Sequence, residues 1–402
     1  MRPRLPHPRN PDTMTTPTPF TISIPQQKLD TIADKVRGFE WIHVPENDGW
    51  AYGCNQAYLK ELCAYWLDGY DWRSWEAKLN TLPQFIAPVD GIDIHYVHIK
   101  GSNPGNPPLL ITHGWPGSFF EFFEVLDKLA NPGNYGGDPD AGRDVVAPSI
   151  PGYAFSGRPA KPMGPRAVAA LWNAFMRDVL GYDKYIAQGG DWGSIISGWI
   201  AHDHCKDKQG GCLAVHFNMF GIRGDMTPKT DEDQAWMQHM AGMQMLETAY
   251  LQIQGTKPLS LAFAMADSPV GQAAWIVEKF HTWGDVRKDD IESAFTKDQL
   301  LTNLMLYVAT DSFNTSTWIY RGMFEEGGVN LAPGEAVSIP TGIAKFAGET
   351  VYPFPPRSMM EEAFTNIIQW TEHDRGGHFA ALENPAAFVA DVSDFLSKAP
   401  QS

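Results

Sequence analysis

The sequence predicts an α/β fold with a mostly parallel sheet, a helical lid inserted in the core and an N-terminal wrapping region. Short apolar runs that lead into turns rich in glycine or proline carry this prediction: Leu109–Thr112, Asp144–Ala147 and Tyr185–Gln188, with Ala214–Asn218 as a further strand. Buried strands that alternate with helical patterns indicate a parallel sheet. Such sheets bind ligands at the carboxyl ends of their strands, where these turns lie.

Composition excludes several classes of protein. The chain has 402 residues, a net charge of −16, 43% hydrophobic and 19% charged residues, which argues against a disordered chain, a coiled coil or collagen. The acidic balance argues against nucleic acid as a partner. Four cysteines without a C-x-x-C pair favour neither a disulfide framework nor a metal site. With no signal peptide or long apolar run, we expect a soluble, cytoplasmic protein without a membrane anchor.

The chain divides into five segments. Residues 1–19 hold six prolines and are expected to be a flexible leader, in which Met14 is an alternative start. Residues 20–106 are a first unit, the N-terminal region, and residues 107–220 are the first part of the α/β core. Residues 221–334 are a helical lid, and residues 335–402 are the second part of the core.

The first unit contains a predicted helix and a predicted strand. Gln56–Asp68 has the apolar spacing of an amphipathic helix, and Gly91–Ile99 has a strand pattern that slips phase, which suggests a bulge near Tyr96. A cluster of tryptophans indicates ligand stacking or, more often, an interface packed against the following domain; its members are Trp41, Trp50, Trp66, Trp72 and Trp75.

The lid and the second part of the core complete the pattern. Helical segments are predicted at Glu232–Gln254, Pro269–Trp283 and Lys297–Met323. Strands are then predicted at Ile343–Phe346 and Ile367–Trp370, and a last helix is predicted at Ala386–Leu396.

The candidate nucleophile is Asp191. It lies in Gly189–Gly193, between an apolar strand and an apolar helix, which is the setting of a nucleophile elbow with aspartate where serine is commoner. The alternative is that Asp191 only caps the helix. An aspartate that attacks an sp³ carbon forms an ester, which water must then hydrolyse with a general base and an oxyanion hole.

The candidate base is His378, which follows the last strand in a Gly-Gly-His turn. Glu349, after the strand that ends at Phe346, is expected to orient the imidazole, with Glu372 and Asp374 as competitors. The turn His113–Gly117 ends an early strand, so the backbone N–H groups of Trp115 and Trp192 are the expected oxyanion hole, unless this is a simple Pro-Gly turn.

Several motifs together resemble the microsomal-type epoxide hydrolases, which have the α/β-hydrolase fold and an epoxide hydrolase N-terminal region. They are HGWPGSFFEF, PSIPGYAFS, GGDWGS, TKP, DSPVGQAAWIVEKF, LLTNLMLY and RGGHFAALE. The resemblance implies two lid tyrosines that activate the epoxide oxygen, and Tyr250 and Tyr320 stand at the matching positions. The family's membrane anchor has no counterpart.

The resulting expectation is an epoxide hydrolase that forms vicinal diols. Asp191, His378 and Glu349 would carry the ester chemistry while Tyr250 and Tyr320 hold the oxygen. The expected partners are a small apolar epoxide and water, with no cofactor and no metal, and a homodimer is a possibility. Eight of the 15 methionines lie in 221–334, which suits a bulky apolar substrate or plain packing. The alternatives are a haloalkane dehalogenase and a non-catalytic binding protein on a hydrolase scaffold.

Overall fold

The computed structural model describes residues 16–46 and 49–401, which form one nine-stranded sheet with helices around it. The strands are β1 (Thr18–Phe20), β2 (Gln84–Val89), β3 (Ile92–Ile99), β4 (Leu109–Thr112), β5 (Val145–Pro148), β6 (Tyr185–Gly189), β7 (Cys212–Phe217), β8 (Thr341–Phe346) and β9 (Ile367–His373). Their order in the sheet is β1-β2-β3-β5-β4-β6-β7-β8-β9. The six strands β4 to β9 run parallel to one another, while β1, β2 and β3 extend the sheet in antiparallel pairings.

The helices fall into three groups along the chain. The first group, before β7, is α1 (Gln26–Arg37), α2 (Gln56–Asp68), α3 (Trp72–Leu79), α4 (Leu126–Ala130), α5 (Pro165–Ala174) and α6 (Trp192–Asp203). The second group, between β7 and β8, is α7 (Asp231–Glu247), α8 (Ala249–Thr256), α9 (Pro258–Met265), α10 (Pro269–Trp283), α11 (Lys297–Val308), α12 (Phe313–Ser316) and α13 (Trp318–Glu326). The third group is α14 (Arg357–Ala363), α15 (Ala380–Glu383) and α16 (Pro385–Lys398). The second group, α7 to α13, lies between β7 and β8 in the chain, as predicted, although these two strands pair directly in the sheet.

The parallel strands are buried on both faces. Every residue of β4, β5, β6 and β7 is buried, which is why these strands are continuous apolar runs rather than alternating ones. The prediction of a bulge near Tyr96 is wrong for the same reason, burial of both faces of the strand. β3 pairs with β2 and β5 in unbroken register, and four consecutive residues from Ile94 to Val97 are buried, so no alternation is required there.

Two predicted helices are broken in the structure. The segment Glu232–Gln254 divides at Thr248 into α7 and α8, and Lys297–Met323 divides into α11, α12 and α13. Asp311, between α11 and α12, has a φ of 54°, a left-handed conformation that a right-handed helix cannot include. Apolar periodicity predicts helical content, but it does not register a break of a single residue.

The N-terminal unit packs against the helical segment as well as extending the sheet. The rings of Trp50 and His281 stack at 3.9 Å between centroids, and Trp75 packs edge-on against Phe120. The tryptophans therefore contribute to interfaces, as the more common interpretation of the cluster has it. Of the expected leader, residues 1–15 lie outside the described residues, together with Met14, while Thr18 and Pro19 belong to β1.

Within residues 16–46 and 49–401, no helix combines the length and the apolar character that crossing a membrane requires.

Candidate active site

Asp191 lies on a sharp turn between β6 and α6. Its φ of 49° and ψ of −127° are rarely adopted by a residue with a side chain, which makes the turn a strained elbow. Gly193 lets the turn close, because a Cβ atom there would overlap the carbonyl oxygen of Thr112 at the end of β4. The Asp191 carboxylate makes no capping hydrogen bond to α6, so the helix-cap interpretation is not supported.

The Asp191 carboxylate is held from two sides. The backbone N–H of Trp115 donates to Oδ1 at 2.8 Å, and Nε2 of His378 lies 3.3 Å from Oδ2. Trp192 is the first residue of α6, so its N–H is among those that lack an intrahelical partner. Of the two amides predicted for the oxyanion hole, that of Trp115 thus contacts this carboxylate, whose side chain is 15% exposed.

Glu349 reaches the other side of the His378 ring. One carboxylate oxygen of Glu349 contacts Nδ1 of His378, and the other accepts a hydrogen bond of 2.9 Å from the backbone N–H of Tyr352. The competitor Glu372 instead pairs with Lys345 at 2.8 Å near the surface. The structure therefore brings Glu349, His378 and Asp191 into one chain of contacts that begins at β8 and ends at β6.

Two opposing effects act on the imidazole. Burial by itself lowers the pKa of His378, but the charge of Glu349 and the hydrogen bonds with Asp191 and Glu349 outweigh it and raise that pKa well above 6.5. Both carboxylates that the ring contacts thus favour its protonated form. Nε2 lies 3.3 Å from Asp191 and Nδ1 contacts Glu349, so the ring links the two side chains.

Tyr250 on α8 and Tyr320 on α13 face each other above this carboxylate. Their ring centroids lie 5.8 Å apart at 82°, and Trp115 contacts both rings, at 5.4 Å and 5.9 Å. The Tyr250 hydroxyl pairs with that of Tyr352 at 3.0 Å. The buried hydroxyl of Tyr320 has no well-formed hydrogen bond among the described residues, which leaves a donor for a substrate.

The two phenols stay protonated. Burial raises the pKa of Tyr250 and of Tyr320 well above 10, and the Asp191 charge contributes to both shifts. A phenol in an apolar surrounding can donate to an oxygen on which negative charge develops.

The sequence interpretation did not assign a role to two further residues at this site. Tyr352 bonds to both Tyr250 and Glu349, although it lies in the proline-rich loop where no motif marked it. Glu121 belongs to the HGWPGSFFEF motif, and its carboxyl packs against Gly117. Burial raises the pKa of this carboxyl to about 8, although the charge of His378 opposes the rise. Its place in that motif was a signal that could have been followed.

Aromatic side chains rather than methionines surround Asp191. Met237 and Met245 of α7 are exposed, at 38% and 85%. The aromatic residues that contact the two tyrosines include Trp115, Trp192, Trp283 and Tyr352. The methionine enrichment of the helical segment therefore belongs in part to its surface.

Comparison with known proteins agrees with this geometry. Residues 17–122 match the family described as epoxide hydrolase N terminus, and residues 107–323 match the alpha/beta hydrolase fold. A putative epoxide hydrolase of Stigmatella aurantiaca is 36% identical over 94% of this chain and 84% of its own length. Epoxide hydrolase 1 of Sus scrofa is 32% identical over 94% of this chain and 88% of its own length.

A solved structure gives the same answer for the fold. The epoxide hydrolase of Aspergillus niger superposes with a TM-score of 0.81 at 29% identity, covering 96% of this chain and 97% of that one. The predicted α/β-hydrolase fold and the family resemblance are thereby confirmed. This chain belongs to the epoxide hydrolase family of the α/β-hydrolase fold.

Proposed function

We propose that this protein hydrolyses epoxides to vicinal diols through an ester on Asp191. The observation that supports this most strongly is the convergence of a carboxylate on a strained elbow with two protonated phenols on the facing helices. A carboxylate and a phenol that both reach one epoxide ring can attack a ring carbon and receive the ring oxygen at the same time.

In the first step an Asp191 oxygen attacks one carbon of the epoxide. The bond between that carbon and the ring oxygen breaks, and its electron pair moves to the oxygen, which takes a proton from Tyr250 or Tyr320. The product is an alkyl ester that carries a neighbouring hydroxyl, and the tyrosinate is then reprotonated from water. Donation to the departing oxygen lowers the barrier because the charge forms in a place where donors already point.

In the second step water attacks the carbonyl carbon of the ester. Esterification removes the Asp191 charge, which is one of the causes of the raised pKa of His378, so the imidazole can lose its proton and act as a base. The backbone N–H of Trp115 then faces the developing oxyanion. The imidazolium returns its proton to the departing alkoxide, which releases the diol. The new carboxyl group of Asp191 then passes its own proton to the imidazole, which restores the carboxylate.

Oxygen labelling tests this pathway directly. In a single turnover in water enriched in oxygen-18, with enzyme in excess over styrene oxide, we expect the label to enter the Asp191 side chain, as detected by peptide mass spectrometry. Label found in the diol alone would mean that water attacks the epoxide directly. Asp191→Asn should abolish turnover and serves as the control.

A second candidate is dehalogenation of haloalkanes. The indole N–H groups of Trp115 and Trp192 are buried without a hydrogen-bond partner among the described residues, and such donors suit a halide ion. The two phenols favour the epoxide, since a halide leaves without a proton. Turnover of a chloroalkane with halide release, and none of styrene oxide, would reverse this preference.

We further propose that residues 221–334 act as a lid over the α/β core and that the substrate is small and apolar. Both phenols reside on this segment, and the surroundings of Asp191 are aromatic. The homodimer stays a prediction.

A further inference from the structure

One buried cation lies next to the proposed machinery without a part in it. Lys279 is on α10, its side chain is 9% exposed, and its Nζ atom lies 4.8 Å from the centroid of the Tyr250 ring and 5.8 Å from that of Trp283. A buried lysine is uncommon because taking its charge out of water is costly. Its position over the ring of one of the two lid phenols therefore calls for a function.

We propose that Lys279 is a positioning residue that makes Tyr250 a stronger hydrogen-bond donor to the epoxide oxygen. This inference rests on the proposed function, in which Tyr250 holds that oxygen. As the hydroxyl gives up its proton, negative charge spreads into the ring, and an ammonium over the ring stabilises that charge more than it stabilises the neutral phenol. The effect belongs to ring opening alone, because the phenol carries no developing charge when the ester is hydrolysed.

The charges around Lys279 do not remove this effect. Glu278, its neighbour on α10, contacts the ammonium at 2.6 Å and accepts a second hydrogen bond from Thr282 at 2.9 Å. Glu247 at the end of α7 also faces the ammonium; burial raises the pKa of this carboxyl, and Lys279 opposes the rise. The ammonium lies over the ring, so the cationic member of this group is the one in contact with Tyr250.

The other neighbours of Tyr250 hold the ring in place for this contact. Trp115 stacks on it at 5.4 Å with an interplanar angle of 11°, and the Tyr352 hydroxyl bonds its hydroxyl at 3.0 Å. A fixed ring keeps the distance between charge and phenol short, which is the condition for an electrostatic effect.

Step-resolved kinetics of Lys279→Met test the proposal. Rapid-quench mass spectrometry of the whole protein with styrene oxide gives the rate at which the ester forms and the rate at which it disappears. We expect ester formation to slow about tenfold, within the range of a desolvated cation–π contact, and ester hydrolysis to stay within about twofold. Lys279→Arg keeps a cation over the ring and should restore most of the rate.

Two further variants separate electrostatics from packing. Lys297→Met is the matched control: Lys297 also lies near two aromatic rings, those of Tyr58 and Tyr65, and pairs with Glu292, but it is remote from Asp191, so both rates should be unchanged. Glu278→Gln removes the anion but leaves the ammonium, and ester formation should be as fast as in the wild type or faster.

The outcomes divide clearly. Unchanged ester formation in Lys279→Met, equal slowing of both steps, or equal slowing by Glu278→Gln would each overturn the inference. Tyr250→Phe distinguishes it from the proposed function. If Tyr250→Phe slows ester formation and Lys279→Met does not, only the inference fails, whereas a fast Tyr250→Phe variant contradicts the role of Tyr250 itself.

Discussion

At the scale of single residues, the backbone of Asp191 is as important as its side chain. A φ of 49° turns the carboxylate away from α6 and toward Trp115 and His378. Such a conformation costs on the order of 1–3 kcal/mol and persists only where the surroundings enforce it. Here the close approach of Gly193 to β4 enforces it.

We predict that Gly193→Ala destabilises the protein by about 2–3 kcal/mol and lowers turnover, because the new methyl group would meet a backbone oxygen that cannot move aside. Thermal unfolding and diol formation measure the two effects. The matched control is Gly242→Ala on α7, where a Cβ meets nothing within 4 Å, so stability should rise by about 1 kcal/mol. Wild-type behaviour of Gly193→Ala would contradict the tight-elbow account.

We predict that His378→Asn traps the ester. The asparagine cannot remove a proton from water, so hydrolysis should slow by 100-fold or more while attack by Asp191 continues. Intact mass spectrometry after addition of an epoxide should show an adduct with the mass of the epoxide, located on the peptide that contains Asp191. An adduct on any other residue, or none at all, would count against this order of steps.

At the scale of elements, short breaks and buried anchors decide where side chains point. α7 ends before Thr248 and α8 begins after it, and Tyr250 is buried although most of α7 is exposed. Asp391 joins α16 to the strands: it accepts from His216 of β7 at 2.9 Å and from His373 of β9 at 2.6 Å.

We predict that Asp391→Asn costs about 3 kcal/mol at pH 7, since it leaves the buried His216 and the partly buried His373 without their anion. Burial alone would raise the pKa of Asp391, but the hydrogen bond and charge of His216, with those of His373, lower it to about 2. A lowered carboxyl pKa stabilises the fold above the unfolded value near 3.8 and loses that contribution as the pH falls toward 2. Urea unfolding should therefore show a smaller difference between variant and wild type at pH 3 than at pH 7.

At the scale of the whole molecule, hydrogen bonds join the N-terminal unit to the helical segment. Asp298 of α11 accepts hydrogen bonds from the Tyr65 hydroxyl at 2.8 Å and from the Trp75 indole at 3.1 Å. Since the segment that carries Tyr250 and Tyr320 is held by this unit, the N-terminal residues contribute to the site at a distance.

We predict that Asp298→Ala lowers stability by about 2 kcal/mol, because two donors lose a charged acceptor, and that unfolding stays a single transition. Asp267→Ala is the control. Asp267 also joins the helical segment to the N-terminal unit, through Lys35, but it is 91% exposed, so the change should be within about 0.5 kcal/mol. Differential scanning calorimetry distinguishes these results, and two separated transitions would refute the mutual support of the two regions.

Most of the architecture could be read from the chain because its signals are local. The bounds of α2, α10 and β4 were predicted to the residue and those of β3 to within one residue, since apolar spacing and glycine turns mark them. The bulge near Tyr96 was wrong because burial of both faces is a property of the neighbouring strands. The breaks between α7 and α8 and between α11, α12 and α13 were missed because each spans only one to four residues.

The sequence by itself determined the fold class, the family and the residue types that can perform the chemistry, since glycine turns, apolar strands and an aspartate in an elbow are written in short stretches of chain. Only the tertiary structure decided which carboxylate meets His378, that Tyr352 joins the site, and that Lys279 lies over Tyr250. These are contacts between residues far apart in the chain, and their distances follow from how the helical segment packs on the sheet, which no local pattern contains.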